Sequence, residues 1–193
     1  FPYTTLFRSS DMGFELDEGR STVTTKARVN SPQSDTGNLI KDSALGLVPE
    51  TLPHYLDLTV AIWDAGPLSP SDIELARLRN ANHVGCVMCQ AVRYDIAVAD
   101  GLTEDLVDQV SKQGIQAGLP ERQELIVRFV DWYVLSPSAH DADLKRCLNE
   151  QFSEAEQVHL ALLMAYFNGF SRCAVSLGGM PDSMPRMEIS VPR

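Results

Sequence analysis

Hydrophobic positions recur with a helical period along most of the chain. After Pro53, the residues Tyr55, Leu56, Thr59, Ile62 and Trp63 fall at i, i+1, i+4, i+7 and i+8, one stripe of a helix that Gly66 and Pro67 break. Ser69, Pro70 and Asp72 then offer a hydroxyl cap, a first-turn proline and an early carboxylate, and the helix they open should run to about His83. Gly85 interrupts it. The next helix should begin near Cys86 and run to Gly101, followed by a short one from Thr103 through Lys112. Leu125, Ile126, Phe129, Val130, Tyr133 and Val134 mark a longer amphipathic helix stopped by Ser136 and Pro137, and Asp141 to Gln151 forms another. Ser153 and Glu156 make a capping-box pattern ahead of an apolar helix that reaches Leu177 before Gly178 and Gly179.

No segment alternates with period 2, so the pattern predicts an all-α domain. A short echo, Ile73-Glu74-Leu75-Ala76 against Val158-His159-Leu160-Ala161, fits a duplicated helix-pair motif about a pseudo-two-fold axis, though four residues carry it. The boundaries follow from where periodicity starts and stops. Residues 10–44 form a polar N-terminal arm, 45–180 the helical domain, and 181–193 a Pro- and Met-rich C-terminal tail without periodicity. Residues 1–9 back-translate as TTT CCC TAC ACG ACG CTC TTC CGA TCT, which resembles the end of a common sequencing adapter. They are read as foreign to the natural gene, with Met12 just beyond.

Composition narrows the function. A chain of 193 residues with 44% hydrophobic and 22% charged residues is ordinary globular protein. Its formal net charge of −10 argues against nucleic acid as a partner, since phosphate binding draws on clustered Lys and Arg. No apolar run approaches the ~20 residues that span a bilayer. The longest, His159 to Phe167, better suits a buried helix, so no membrane partner is expected. With no signal-peptide pattern in view, the reading is cytoplasmic.

The four cysteines, Cys86, Cys89, Cys147 and Cys173, are too few and too uneven for a disulfide-stapled scaffold, so the Cys86–Cys89 spacing points to redox chemistry or metal. At a helix start the two sulfurs lie one turn apart on one face, within reach of a disulfide, and the unpaired N–H groups favour thiolate. Arg93, four residues on, should add positive charge on the same face. A structural zinc wants four ligands, and His54, His83, His140, His159, Cys147 and Cys173 show no second paired spacing. Neither a metal nor a cofactor is expected. Two purely structural cysteines in a non-catalytic helical oligomer remain the alternative from another class.

The arrangement of Glu74, Cys86 and Cys89 resembles the motif of alkylhydroperoxidase D-like (AhpD-like) proteins of the carboxymuconolactone decarboxylase family. Leu68 to Arg79, Gly101 to Asp105, and Phe152 through Arg172 look similar too, so the resemblance covers roughly residues 45–180. It implies a helical, trimeric or hexameric dithiol peroxidase acting on a small hydroperoxide or other small molecule. In that scheme Cys89 is peroxidatic, Cys86 resolving and Glu74 the relay carboxylate, and a dithiol reductant of lipoyl type restores the thiols. Leu160, Leu163, Phe167 and Phe170 would be the apolar surface shared between subunits. The chain departs from the family where it carries Arg93 in place of a histidine base and Met88 in place of a frequent histidine. Arginine stays protonated and cannot act as a base, though it can hold a thiolate or pair with Glu74. His83 is the substitute base within reach in sequence, and Glu74 read without chemistry is a surface carboxylate pairing with Arg77. A carboxymuconolactone decarboxylase reaction needs no cysteine pair. For a lactone acid, Arg77, Arg93 and His83 are the groups at hand.

If residues 1–9 are foreign, a chain beginning at Met12 keeps its melting temperature. A loss of more than a few degrees in a thermal melt would mean that Phe1, Tyr3, Leu6 or Phe7 packs natively, since a chain of this size shifts about 2–4 °C per kcal/mol.

Overall fold

The structure, a computed structural model, describes residues 27–32, 35–38, 40–111, 118–178 and 180–193. The readings of residues 1–9, of residues 10–26 of the arm and of the helix end at Lys112 lie outside the described residues. Among the described residues the domain is built of α-helices with one pair of three-residue strands. The helices are α1 (Leu52–Asp64), α2 (Pro70–Val84), α3 (Val87–Ala91), α4 (Asp95–Ala99), α5 (Glu104–Ser111), α6 (Glu121–Leu135), α7 (Ala142–Gln151) and α8 (Glu154–Leu177). Two short helical turns, Ala44–Leu47 and Pro49–Thr51, lead into α1.

The start signals work as local chemistry dictates. Ser69 Oγ accepts the N–H of Asp72, Asp141 caps α7, and Ser153 with Glu156 forms a capping box on α8. The stripe on α1 buries Leu56, Thr59, Ile62 and Trp63, as its spacing requires.

One segment departs from its expected form. The helix expected from Cys86 to Gly101 is split by a strand, β1 (Val92–Tyr94), which pairs in parallel with β2 (Met187–Ile189). The tail read as aperiodic supplies β2 and puts Val191 into the core. A three-residue strand is too short to show alternation, and its partner lies almost a hundred residues away, so no local pattern announces it.

Helix α2 is the centre. Every residue from Asp72 to Ala81 is buried, and α8, α6, α5, α3 and α4 pack around it. Its apolar side chains Ile73, Leu75 and Leu78 meet Leu160, Leu163 and Met164 of α8 and Ile126 and Val130 of α6 in one core. Leu160, Leu163 and Phe167 are therefore interior and not the shared surface expected of them; Val158, Leu162 and Val175 are the large apolar residues that α8 leaves open. The echo between α2 and α8 holds in burial for Glu74 with His159 and Leu75 with Leu160. It fails for Ile73 with Val158, which is 59% exposed, and for Ala76 with the exposed Ala161, because α8 keeps an open face and the buried stretch of α2 has none. By length and composition alone α8 could cross a membrane, but its apolar side chains at 160, 163 and 164 are fully inside this core.

His159 fastens α8 to the loop after α1. Its Nδ1 accepts the N–H of Leu68 at 3.4 Å, so its Nε2 carries the hydrogen and donates to the Ile62 carbonyl at 3.1 Å. The ring lies against Gly66, where a Cβ would come within 1.8 Å of it. Burial pulls the imidazole below its ordinary value, partly opposed by the Ile62 carbonyl.

A depressed histidine contributes stability that is present above its unfolded value near 6.5 and is lost as pH falls below it, because only the unfolded chain then takes up the proton. The melting temperature should drop between pH 7.5 and 5.5, and His159→Gln should flatten that slope. An unchanged slope in the variant would locate the pH dependence elsewhere.

Candidate active site

The turn that carries the cysteines is built by the end of α2. Gly85 adopts the left-handed conformation (φ 71°), its N–H reaching the Asn82 carbonyl while that of Cys86 reaches the Ala81 carbonyl. This double closure stops the helix and favours glycine at its left-handed position. Cys86 then caps α3, its Sγ accepting the N–H of Cys89 at 3.3 Å. The two cysteines are joined in a disulfide, with Cα atoms 5.2 Å apart. Cys86 is wholly buried and Cys89 half-buried, next to the exposed Met88. Access from solvent is therefore to Cys89. Helix α3 has only five residues, so its dipole is far smaller than that of the long helix expected here.

Two guanidinium groups close the C-terminal end of α3. Arg77 donates from Nη1 to the Cys89 carbonyl and from Nη2 to the Val92 carbonyl, both at 2.7 Å. Arg93 donates from Nη1 to the carbonyls of Gln90 (2.6 Å) and Val92 (2.9 Å). Cationic donors on the last carbonyls of a helix complement its negative end.

Glu74 sits directly behind this turn. Its two oxygens accept Nε and Nη2 of Arg77 at 2.6 Å each, and Oε1 also takes the N–H of Tyr94 at 3.3 Å. The pairing at i+3 is the one its spacing suggests. It lies in the interior, however, Glu74 being fully buried and Arg77 5% exposed, so the surface reading is corrected. Burial works against the Arg77 charge, and Glu74 more than offsets it, so Arg77 holds its proton more firmly than usual. Arg77 also lies over the Tyr94 ring, 5.3 Å from its centre. Burial pushes the Tyr94 phenol up to about 12 against the opposing pull of Arg77, so it stays protonated at neutral pH.

Arg93 does not pair with Glu74. It leaves α3 in the extended stretch of β1, so the helical spacing that would set it beside Cys89 does not apply. Its Nε and Nη2 go to Glu104 of α5 at 3.1 and 3.2 Å, and Arg186 binds the same carboxylate at 2.9 Å. His83 faces α6, where its Nε2 and Arg79 Nε both meet Asp131 Oδ1 at 2.6 Å. Among the described residues no histidine hydrogen-bonds to either sulfur. The fold thus brings Cys86, Cys89 and, through Arg77, Glu74 into one assembly, and engages Arg93 and His83 elsewhere. Among the described residues no three His, Cys, Asp or Glu side chains are grouped to hold a metal.

Two residues at this site carry no motif. Arg77 stands out only through its spacing from Glu74. Ser171, whose Oγ lies 3.6 Å from Cys89 Sγ, gives one faint signal, a hydroxyl on the buried stripe that runs through 160, 164 and 167.

This arrangement, a cysteine pair at a helix–turn–helix corner backed by a buried Glu–Arg pair, belongs to a helical protein with the AhpD-like fold. No family model and no curated protein matches the chain. A search of solved structures finds a protein of unknown function from Agrobacterium tumefaciens, described as a candidate antioxidant defence protein, AhpD. It is 23% identical, the match covers 79% of this chain and 95% of that one, and the TM-score is 0.60.

Glu74→Gln leaves a buried guanidinium without its counter-charge. Denaturant titration should show a loss of about 3–5 kcal/mol, the range for breaking a buried pair from one side. A loss under 1 kcal/mol would mean that Arg77 escapes to solvent and that the pair does not brace the turn.

Proposed function

We propose that the protein is a thiol-dependent oxidoreductase that cycles the Cys86–Cys89 pair between dithiol and disulfide, reducing a small hydroperoxide or exchanging with an external disulfide. The observation that carries this reading is the disulfide itself, with one cysteine half-buried and the other enclosed beside it. The neighbouring fold, described for its own protein in terms of antioxidant defence, supports the same chemistry.

In the peroxide direction, the Cys89 thiolate attacks one peroxide oxygen. The O–O bond breaks, sulfur gives up two electrons, and the alcohol leaves with a proton from the medium. The sulfenic acid on Cys89 then meets the Cys86 thiol, water departs, and the disulfide forms. An external dithiol, of lipoyl type in the proposal, returns two electrons and two protons. Exposure of Cys89 makes it the sulfur that meets the oxidant, and enclosure of Cys86 suits a resolving partner. With Arg93 bound to Glu104 and no imidazole on either sulfur among the described residues, peroxide turnover lacks a dedicated base. Disulfide exchange, which needs only a thiolate, is favoured within the same reading. A homo-oligomer would cover the open Val158 and Leu162.

Changing Cys86 to Ser keeps a capping oxygen at the start of α3 and removes the resolving thiol. Peroxide followed by a sulfenic-acid trap should label Cys89 in that variant, whereas Cys89→Ser should give little label at Cys86. Absence of label in both, together with a pair that stays oxidised against an excess of dithiol, would leave the cysteines a structural role.

A further inference from the structure

We infer that Ser171 is a hydroxyl donor dedicated to the sulfur of Cys89, aimed by a one-way line of hydrogen bonds from Arg172 through Asn168 and Asn80. The inference deepens the thiol reading above and rests on it. Arg172 Nε donates to Asn168 Oδ1 at 2.9 Å, Asn168 Nδ2 to Asn80 Oδ1 at 2.7 Å, and Asn80 Nδ2 to Ser171 Oγ at 3.3 Å. Ser171 Oγ then reaches Cys89 Sγ at 3.6 Å.

The direction follows from one fact. A guanidinium has donors only, so the side-chain oxygen of Asn168 must face it. Its amide nitrogen is thereby turned to Asn80, whose oxygen must accept and whose nitrogen must donate onward. Ser171 Oγ receives that donation, and its single hydrogen is left to point at Cys89. Reversing any link would set two donors or two acceptors against each other.

Such a line has a cost that packing alone does not justify. Asn80 is fully buried and Ser171 is 5% exposed on the otherwise apolar inner stripe of α8, where an alkyl side chain would fill the space without polar desolvation. A disulfide sulfur is a weak acceptor. A thiolate is a strong one, and a hydrogen bond to the charged form stabilises it. Links oriented alike also polarise one another, with a cation at the far end here. The device therefore matches negative charge on Cys89 after the disulfide opens. The other charged groups around Cys89 are committed to backbone or to each other: Arg77 to Glu74 and the Cys89 carbonyl, Arg93 to Glu104 and the α3 carbonyls. Cys86 Sγ, enclosed, receives the N–H of Cys89 and no other hydrogen bond among the described residues. The line thus separates the two sulfurs chemically and assigns the stable thiolate to Cys89.

The test uses the full chain carrying Cys86→Ser, with the Cys89 thiolate followed by its ultraviolet absorbance against pH and by alkylation rate at pH 7. Added Ser171→Ala should raise the Cys89 value by about one unit and slow alkylation about tenfold. Ser171→Thr should restore both, which a role in packing alone would not produce. Arg172→Leu, at an exposed position, should give a smaller rise in the same direction. A parent value below the ordinary ~8.5 that Ser171→Ala leaves unchanged overturns the inference and leaves the thiol reading standing. A parent value at or above ~8.5 with no alkylation at pH 7 overturns both. An Arg172→Leu value equal to the parent's overturns the one-way line.

Discussion

The fold depends on a helix that is buried on every side although it carries charge. Along α2, Asp72, Glu74, Arg77, Arg79 and Asn80 all lie in the interior. An unpaired charge there would be prohibitive, so each must meet a partner, within α2 for Glu74 with Arg77 and on another element for the rest. Arg122 of α6 reaches Asp72 at 2.8 Å and Glu156 of α8 at 2.6 Å, tying three helices at one end. Asp131 of α6 holds Arg79 and His83 at the other. Between them the Glu74–Arg77 pair faces the cysteine turn, and Asn80 faces α8. These pairs need not exceed apolar packing in strength to matter. They fix which helix lies where, because a wrong arrangement strands a charge in the core.

That constraint builds the site. Arg77 can grip the Cys89 and Val92 carbonyls only because Glu74 compensates it from behind, and those bonds accompany the end of α3 after five residues. The chain then runs extended through Val92–Tyr94, turning Arg93 towards Glu104 and giving β2 its partner. Arg93 is thus a fastening between β1 and α5. The cysteines keep their place at the corner, and among the described residues no histidine hydrogen-bonds to either sulfur. The polar line from Arg172 to Ser171 comes from α8 and makes the one side-chain hydrogen bond to the Cys89 sulfur among the described residues.

How much was legible follows from the range of the forces involved. Helix starts at Ser69, Asp141 and Ser153, the breaks at Gly66 and Gly85, and the stripe on α1 were readable because caps, left-handed glycines and amphipathic spacing act within a turn or two of chain. The all-α class, the disulfide reach of Cys86 and Cys89, and the i+3 pairing of Glu74 with Arg77 are likewise local.

What the tertiary structure alone decided is everything in which two distant segments share a group. The stretch from Ser71 to Val84 has the composition of a surface helix, and partners on distant segments, among them Arg122, Asp131, Asn168, Ser171 and the carbonyls of Cys89, Val92 and Val110, make its polar residues tolerable inside. Whether Leu160, Leu163 and Phe167 faced a second subunit or the core was open in the sequence, since an apolar stripe does not say what covers it. The strand at Val92–Tyr94, the burial of Val191 and the partner of Arg93 belong to the same group. Local propensity determines which segments are helical. Satisfying buried polar groups across the chain determines which residues those helices bring to the sulfur.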